Sequence, residues 1–223
     1  GKLVHNLNWS QLQTLSCDKK LADFPGQKVA KDNRMIQLKD VFDIVKKYGA
    51  EKDIYYNIET KVEADDHSKS AVPKEFVDAI MGAVKDAGVQ DKVMIQSFDW
   101  RTFPLMKDVA PEVPLVMLYD ETTWLKDSKW TGDVNYDDVN GDVIKAAKKL
   151  GVQVLSPGYT NPYGLLPGQK DYKLVADKKF IDAAHKEGLR VVPWTIDNKD
   201  VLAQQIEAGA DGIITDYPTM LRK

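Results

Sequence analysis

The chain has 223 residues and few of the residue types that settle a protein's chemistry at once. It holds one cysteine, Cys17. That excludes an internal disulfide and a cysteine-rich zinc site. The compartment stays open, because a secreted protein can also lack disulfides. Histidine occurs three times, as His5, His67 and His185. No apolar run approaches the roughly 20 residues of a membrane span. The opening GKLVHNLNWSQLQTL has neither the long apolar core nor the small-residue cleavage site of a signal peptide. A net charge of -3 argues against a nucleic-acid surface, which needs a basic patch. Neither G-x-G-x-x-G nor G-x-x-x-x-G-K-[ST] occurs, so both common phosphate-cradling loops are missing.

What remains is ordinary globular material, 43% hydrophobic and 29% charged. The length favours one α/β domain over residues 1–223. From residue 38 helical and strand patterns alternate. Leu38, Val41, Phe42, Ile44 and Val45 mark a helix, followed by the strand IYYNIE. Helices are expected at about 73–87, from near Asp99, at Val143 to Leu150, at about 176–187 and at about 199–208. The strands after them are KVMIQSF, PLVMLYD, VQVLSP, LRVVPWTI and DGIITDYP. These strands are short, apolar on both faces and rich in Val and Ile, as parallel strands covered by helices are.

Repeated helix–strand alternation means an α/β fold, either a TIM-type (β/α)8 barrel or a doubly wound sheet. Two observations favour the barrel. The phosphate loops of doubly wound nucleotide binders are missing. Polar and aromatic residues also collect just after the strands: Glu59 and Lys61, Ser97 and Asp99, Tyr119 and Asp120, Ser156 and Tyr159, Trp194 and Asp197, Asp216 and Tyr217. A barrel gathers all such strand ends around one mouth. About six βα units are visible where a closed barrel needs eight, and the first 37 residues read as loop and short helix.

The stretch IYYNIETK, residues 54–61, poses the chemical question. Glu59 and Lys61 are two residues apart and point to one face of a strand. By themselves they could be an ion pair at a strand end.

The ordered strings YNIETK, MIQSFD, VVPWTIDN and GADGIITDYP resemble the glycerophosphodiester phosphodiesterase family. LNWSQLQTLSC and MIQLKDVFDIVKKYG resemble the stretches that precede its N-I-E-x-K strand, so the likeness covers essentially the whole chain. It implies a TIM barrel that hydrolyses glycerophosphodiesters to an alcohol and glycerol 3-phosphate with a divalent metal ion, Mg or Ca. Family members begin with His-Arg-Gly, Glu-x-Asp and His-Asp motifs, and this sequence has none of them. The expectation is therefore a partial barrel without its first two βα units, about 60 residues at roughly 30 each. Those units would carry both catalytic histidines and two of three metal carboxylates, so the chain alone is expected to be nearly inactive. An N-terminal segment or a second chain is expected to complete the barrel.

Carried over residue by residue, Glu59 becomes a metal ligand and Lys61 a phosphate contact. A hard cation wants carboxylate oxygens, and a phosphodiester anion wants a point charge. Trp194 is read as an apolar wall for the glycerol or alcohol moiety. Phe98 is read as lining the site, and Tyr159 as reaching the mouth from the loop SPGYTNPYG. Ser97 divides evenly between packing and site lining, and Asp216 is expected to fix the last turn. His185 reads as a surface residue late in its helix and His67 as part of a solvated loop. The acidic run DVNYDDVNGD fails the EF-hand pattern, since Asp138 stands where that loop needs glycine. Two rival functions remain: a non-catalytic, anion-binding barrel, and another phosphodiesterase such as a phospholipase D-like toxin of the wider superfamily. No nucleic-acid partner and no membrane span are expected, and a secreted or periplasmic location is slightly favoured.

Overall fold

The computed structural model describes residues 2–221. In chain order the elements are α1 (Trp9–Leu12), α2 (Leu38–Lys47), β1 (Tyr56–Glu59), α3 (Pro73–Ala87), β2 (Val93–Ser97), α4 (Thr102–Val109), β3 (Leu115–Tyr119), α5 (Val143–Leu150), β4 (Val154–Pro157), α6 (Lys178–Lys186), β5 (Arg190–Val191) and α7 (Lys199–Ala208). Local chemistry sets the helix ends. At α3, Pro73 occupies the first turn and the Val72 N–H donates to the Glu75 carboxylate at 3.2 Å. Gly88 closes that helix at φ 67°, a left-handed conformation that costs glycine little. Asp142 caps α5 by accepting from the N–H groups of Ile144 and Lys145. At α4 the helix starts at Thr102, three residues after Asp99, whose carboxylate accepts from the Arg101 backbone N–H and whose carbonyl accepts from Thr102 N–H in the turn that leads into the helix.

The five strands form one sheet in the order β1-β2-β3-β4-β5, and every pairing is parallel. A doubly wound sheet reverses its strand order at a switch point. This sheet does not reverse, so it is the wall of a barrel. Register fixes the two faces. Tyr56, Val93, Ile95, Leu115, Met117, Leu155 and Val191 form one core with helix residues such as Phe42, Val77, Phe103, Met106 and Ile181. The alternate residues face the barrel interior, where Val116, Leu118 and Val154 are buried but Asn57, Met94 and Gln96 are not.

The sixth expected strand, near 211–215, is not a regular strand. Its residues lie beside 191–196 through three backbone bonds: Asp211 N–H to Val191, Ile214 N–H to Pro193, and Ile196 N–H to Ile214. Pro193 explains the irregularity, because proline cannot donate to a ladder and is tolerated only at edges and bulges. β5 is accordingly cut to two residues.

The chain exposes 13613 Å². A compact monomer of 25.1 kDa exposes about 10,300 Å². Part of the excess belongs to residues 2–36, none of which is buried. They fold back on themselves, with the Gln13 side chain donating to Met35 O and Cys17 N–H donating to Asn33 O. Their tip meets the C-terminal edge, where Phe24 lies 6.2 Å from Tyr217. At the other end α2 joins β1 through Phe42 and Tyr56, whose rings are 4.8 Å apart. This segment thus runs between the two edges of the sheet. An opening of about 780 Å³ lies at the strand starts, lined by Tyr55, Met94, Pro114 and Arg190 among others.

Candidate active site at the strand ends

Strand periodicity builds the centre of the site. Glu59 ends β1, Thr60 follows on the opposite face, and Lys61 returns to the face of Glu59. Thr60 is buried. Its hydroxyl donates to Ser97 Oγ at 2.7 Å and lies 3.1 Å from Thr102 Oγ1. This hydroxyl cluster ties the end of β1 to β2 and α4, and so fixes the direction of the two charged neighbours. Ser97 therefore belongs to this cluster and packs, with 0% exposure.

Lys61 Nζ lies 3.3 Å from Glu59 Oε1. Oε1 itself is buried and has no hydrogen-bond partner among the described residues. The two observations agree: the ammonium is near enough for attraction but outside hydrogen-bonding geometry. A buried carboxylate oxygen without a hydrogen-bond donor is costly, and beside its ion pair with Lys61 this oxygen keeps lone pairs for a cation. Glu59 thus fits one position in the shell of a hard metal ion. No group of three or more His, Cys, Asp or Glu side chains that could hold a metal occurs among the described residues. Glu59 cannot complete such a shell with them.

An aromatic wall stands beside this pair. Lys61 Nζ lies 5.6 Å from the centre of the Phe98 ring, within reach of a cation–π attraction. Phe98 meets Trp194 edge to face at 5.3 Å and Trp130 at 6.3 Å. Trp194 is held by its indole N–H, which donates to Ser156 O at 2.8 Å. Trp130 donates to the Asp65 carboxylate at 3.1 Å. Tyr163 covers Trp194 at 4.9 Å, and its hydroxyl accepts from Thr195 N–H.

Four of the five expected site residues, Glu59, Lys61, Phe98 and Trp194, are brought together. Tyr159 is placed differently. It is 6% exposed and packs with Ile196, Val201 and Leu202 under α7. Burial, with Tyr163, Tyr172 and Asp197 nearby, pushes its phenol above the ordinary range. Tyr163, four residues on in the same loop, presents its ring at the wall instead, 41% exposed. The sequence offered two tyrosines in one turn-rich segment and no period to choose between them. Trp130 lies far from any strand and gave no signal.

The histidines stay outside the cluster. His67 is exposed in the loop after β1, and His185 pairs with Asp211 at 2.8 Å in the last turn of α6. Asp216 is exposed; its N–H donates to Asp197, and partial burial with Asp197 nearby raises its carboxyl.

The sequence matches the model of the glycerophosphoryl diester phosphodiesterase family over residues 1–220. The chain belongs to that family. A glycerophosphodiester phosphodiesterase of Caldanaerobacter subterraneus is 26% identical over 196 residues, 88% of this chain and 63% of that protein. A dermonecrotic toxin of Loxosceles hirsuta is 37% identical over 93 residues, covering 40% of this chain and 32% of the toxin. Among solved structures, a glycerophosphoryl diester phosphodiesterase from Silicibacter pomeroyi aligns with TM-score 0.68 at 24% identity, over 89% of this chain and 58% of that one. An Oleispira antarctica phosphodiesterase in complex with the product sn-glycerol-3-phosphate aligns with TM-score 0.55 at 16% identity, over 81% of this chain and 57% of that one. The likeness places the parallel wall in a TIM barrel. The chain spans less than two thirds of the length of each of these proteins.

Proposed function

We propose that this family member serves the hydrolysis of glycerophosphodiesters to an alcohol and glycerol 3-phosphate. The observation that carries the reading is the orphaned Glu59 Oε1 beside Lys61, under the wall of Phe98, Trp194 and Trp130. Glu59 is one ligand of a divalent metal, Mg or Ca, which when bound neutralises charge on the phosphoryl oxygens. Lys61, its side chain 71% exposed, holds the phosphate as a point charge. Phe98 and Trp194 pack the carbon skeleton and exclude water from one side. The Oleispira antarctica complex with sn-glycerol-3-phosphate supports the product class.

Proton transfer to the leaving oxygen needs a positioned acid, worth about 10²–10⁴-fold in rate. The cluster contains no histidine among the described residues. In this reading the acid–base pair and the remaining metal ligands come from βα units outside these 223 residues, which also close the barrel. The test is release of glycerol 3-phosphate from glycerophosphocholine with Mg²⁺ or Ca²⁺. It compares this chain with a chain extended by the two N-terminal βα units of a family member. The extended chain should turn over and the 223-residue chain should be slower by more than about 10²-fold. Equal rates would put the acid–base groups within the 223-residue chain itself, with His67 tested first. In the extended chain Glu59→Ala and Lys61→Ala should each abolish most turnover.

Two other readings have an observation behind them. An anion-binding barrel without turnover fits the exposed ammonium of Lys61. It predicts phosphate binding but no gain on extension. A phospholipase D-like specificity fits the 37% identity with the Loxosceles hirsuta toxin. It predicts that the extended chain prefers a phospholipid to glycerophosphocholine.

A further inference from the structure

A cavity of about 250 Å³ lies between the ends of β3 and β4 and the first turns of α5 and α6. It is separate from the Glu59 cluster, none of whose residues lines it. The Gly158 backbone stands between them: a Cβ there would lie 3.5 Å from Asp120 and 3.6 Å from Trp194. Tyr119, Glu121, Trp124, Tyr136 and Phe180 supply most of the character of its walls.

Two polar atoms at this cavity lack partners. Tyr119 is 5% exposed, and its hydroxyl has no hydrogen-bond partner among the described residues. Glu121 accepts from Tyr163 N–H through Oε1 at 2.9 Å, while its buried Oε2 has no partner among the described residues. Native proteins rarely leave such groups unmade. Burial raises the Tyr119 phenol, so it stays neutral.

The chemistry of the occupant follows from what surrounds these atoms. Asp120 and Glu121 line the cavity, and no Lys or Arg does among the described residues. The neighbouring helix starts do not attract an anion, because Asp142 already accepts from Ile144 and Lys145 N–H, and Asp177 from Phe180 N–H. The charge called for is positive. A bare metal ion suits the site poorly, since no three metal-type ligands converge among the described residues and the walls are largely aromatic. A quaternary ammonium has no N–H for Glu121. The volume equals about eight waters, which limits the ligand to a few heavy atoms.

We infer that this cavity binds a small primary ammonium compound carrying a hydroxyl, its N–H groups donating to Glu121 Oε2 and its oxygen meeting the Tyr119 hydroxyl. The site stands apart from phosphodiester hydrolysis, and its test reads binding alone.

The probe is 2-aminoethanol, titrated into the full chain labelled with ¹⁵N. The signal is the Trp124 indole N–H, which donates to Gly141 O at the cavity wall, assigned by its loss in Trp124→Phe. Saturation at about millimolar ligand is expected, which stays within the limit on affinity for so few heavy atoms. Glu121→Gln should weaken binding about tenfold or more, and Tyr119→Phe about threefold or more. Choline should bind at least about tenfold more weakly than 2-aminoethanol, a difference that needs no variant and so does not depend on how a variant folds. The inference is overturned by absence of a saturable shift, by both variants binding as the parent does, or by choline binding equally well.

Discussion

Residues 2–36 and residues 38–221 obey the same chemistry with opposite results. The first stretch carries Leu3, Val4, Leu15, Leu21, Val29 and Ile36, and all of them remain 37–54% exposed. The second buries Trp100, Phe103, Met81, Ile95 and Met106 at 2% exposure or less. Apolar content is therefore not the difference; periodicity is. From Leu38 onward apolar residues recur at helical or strand spacing, so each element offers a continuous face to its neighbour. Before Leu38 they are scattered, and the segment is held by a few turns, by the Gln13 and Cys17 hydrogen bonds and by Phe24 on Tyr217. Burial of apolar area is what stabilises a chain segment, and this segment has little of it.

The contrast can be broken or sharpened by measurement. The largest effect belongs to the core under α4. Phe103→Ala, at a fully buried position, should lower unfolding free energy by about 3–5 kcal/mol in urea denaturation. Next comes the hydroxyl cluster beneath the active site. Thr60→Val leaves Ser97 and Thr102 with fewer partners inside the protein and should cost about 1–3 kcal/mol. Helix capping follows: Asp142→Ala removes the acceptor for two N–H groups and should cost about 1 kcal/mol. Leu21→Ser, at 49% exposure, should change stability by less than about 0.5 kcal/mol. A cost there near that of Phe103→Ala would show that residues 2–36 are part of the core after all.

The smallest effect is electrostatic. The Asp216 carboxyl is raised in the folded state by partial burial and by Asp197. A raised acid stabilises the fold below its unfolded value, near 3.8, and loses that contribution as pH rises through the folded value. Asp216→Asn should therefore flatten the pH dependence of stability just above pH 3.8 and leave the variant slightly more stable than the parent at neutral pH. Thermal melts across that range would show it; an unchanged profile would remove Asp197 and Asp216 as a coupled pair.

Much of the site was legible because strand spacing is local. Glu59 and Lys61 share a face by counting two residues, and the helix at Val143–Leu150 falls where Asp142 and Gly151 place it. The wall was legible only in part. Trp194 and Phe98 follow strands directly, whereas Trp130 arrives from a loop whose position depends on Asp65 and on Phe98. Tyr159 and Tyr163 differ by four residues yet face core and surface, and their neighbours Ile196, Val201 and Trp194 lie more than 30 residues away in sequence. Pro193 was read as part of the strand LRVVPWTI; it shortened β5 and left 211–214 irregular.

By itself the sequence determined the alternation of helix and strand, the parallel character of the apolar strands and the pairing of an acid with a base at one strand end. These depend on residues within a few positions of one another, where dihedral preference and periodicity act. Tertiary structure alone decided which tyrosine meets Trp194, that Glu59 Oε1 is buried without a donor, and that Tyr119 and Glu121 face one small cavity. Those outcomes depend on close packing between segments distant in the chain, and packing is a property of three-dimensional neighbours that no local pattern encodes.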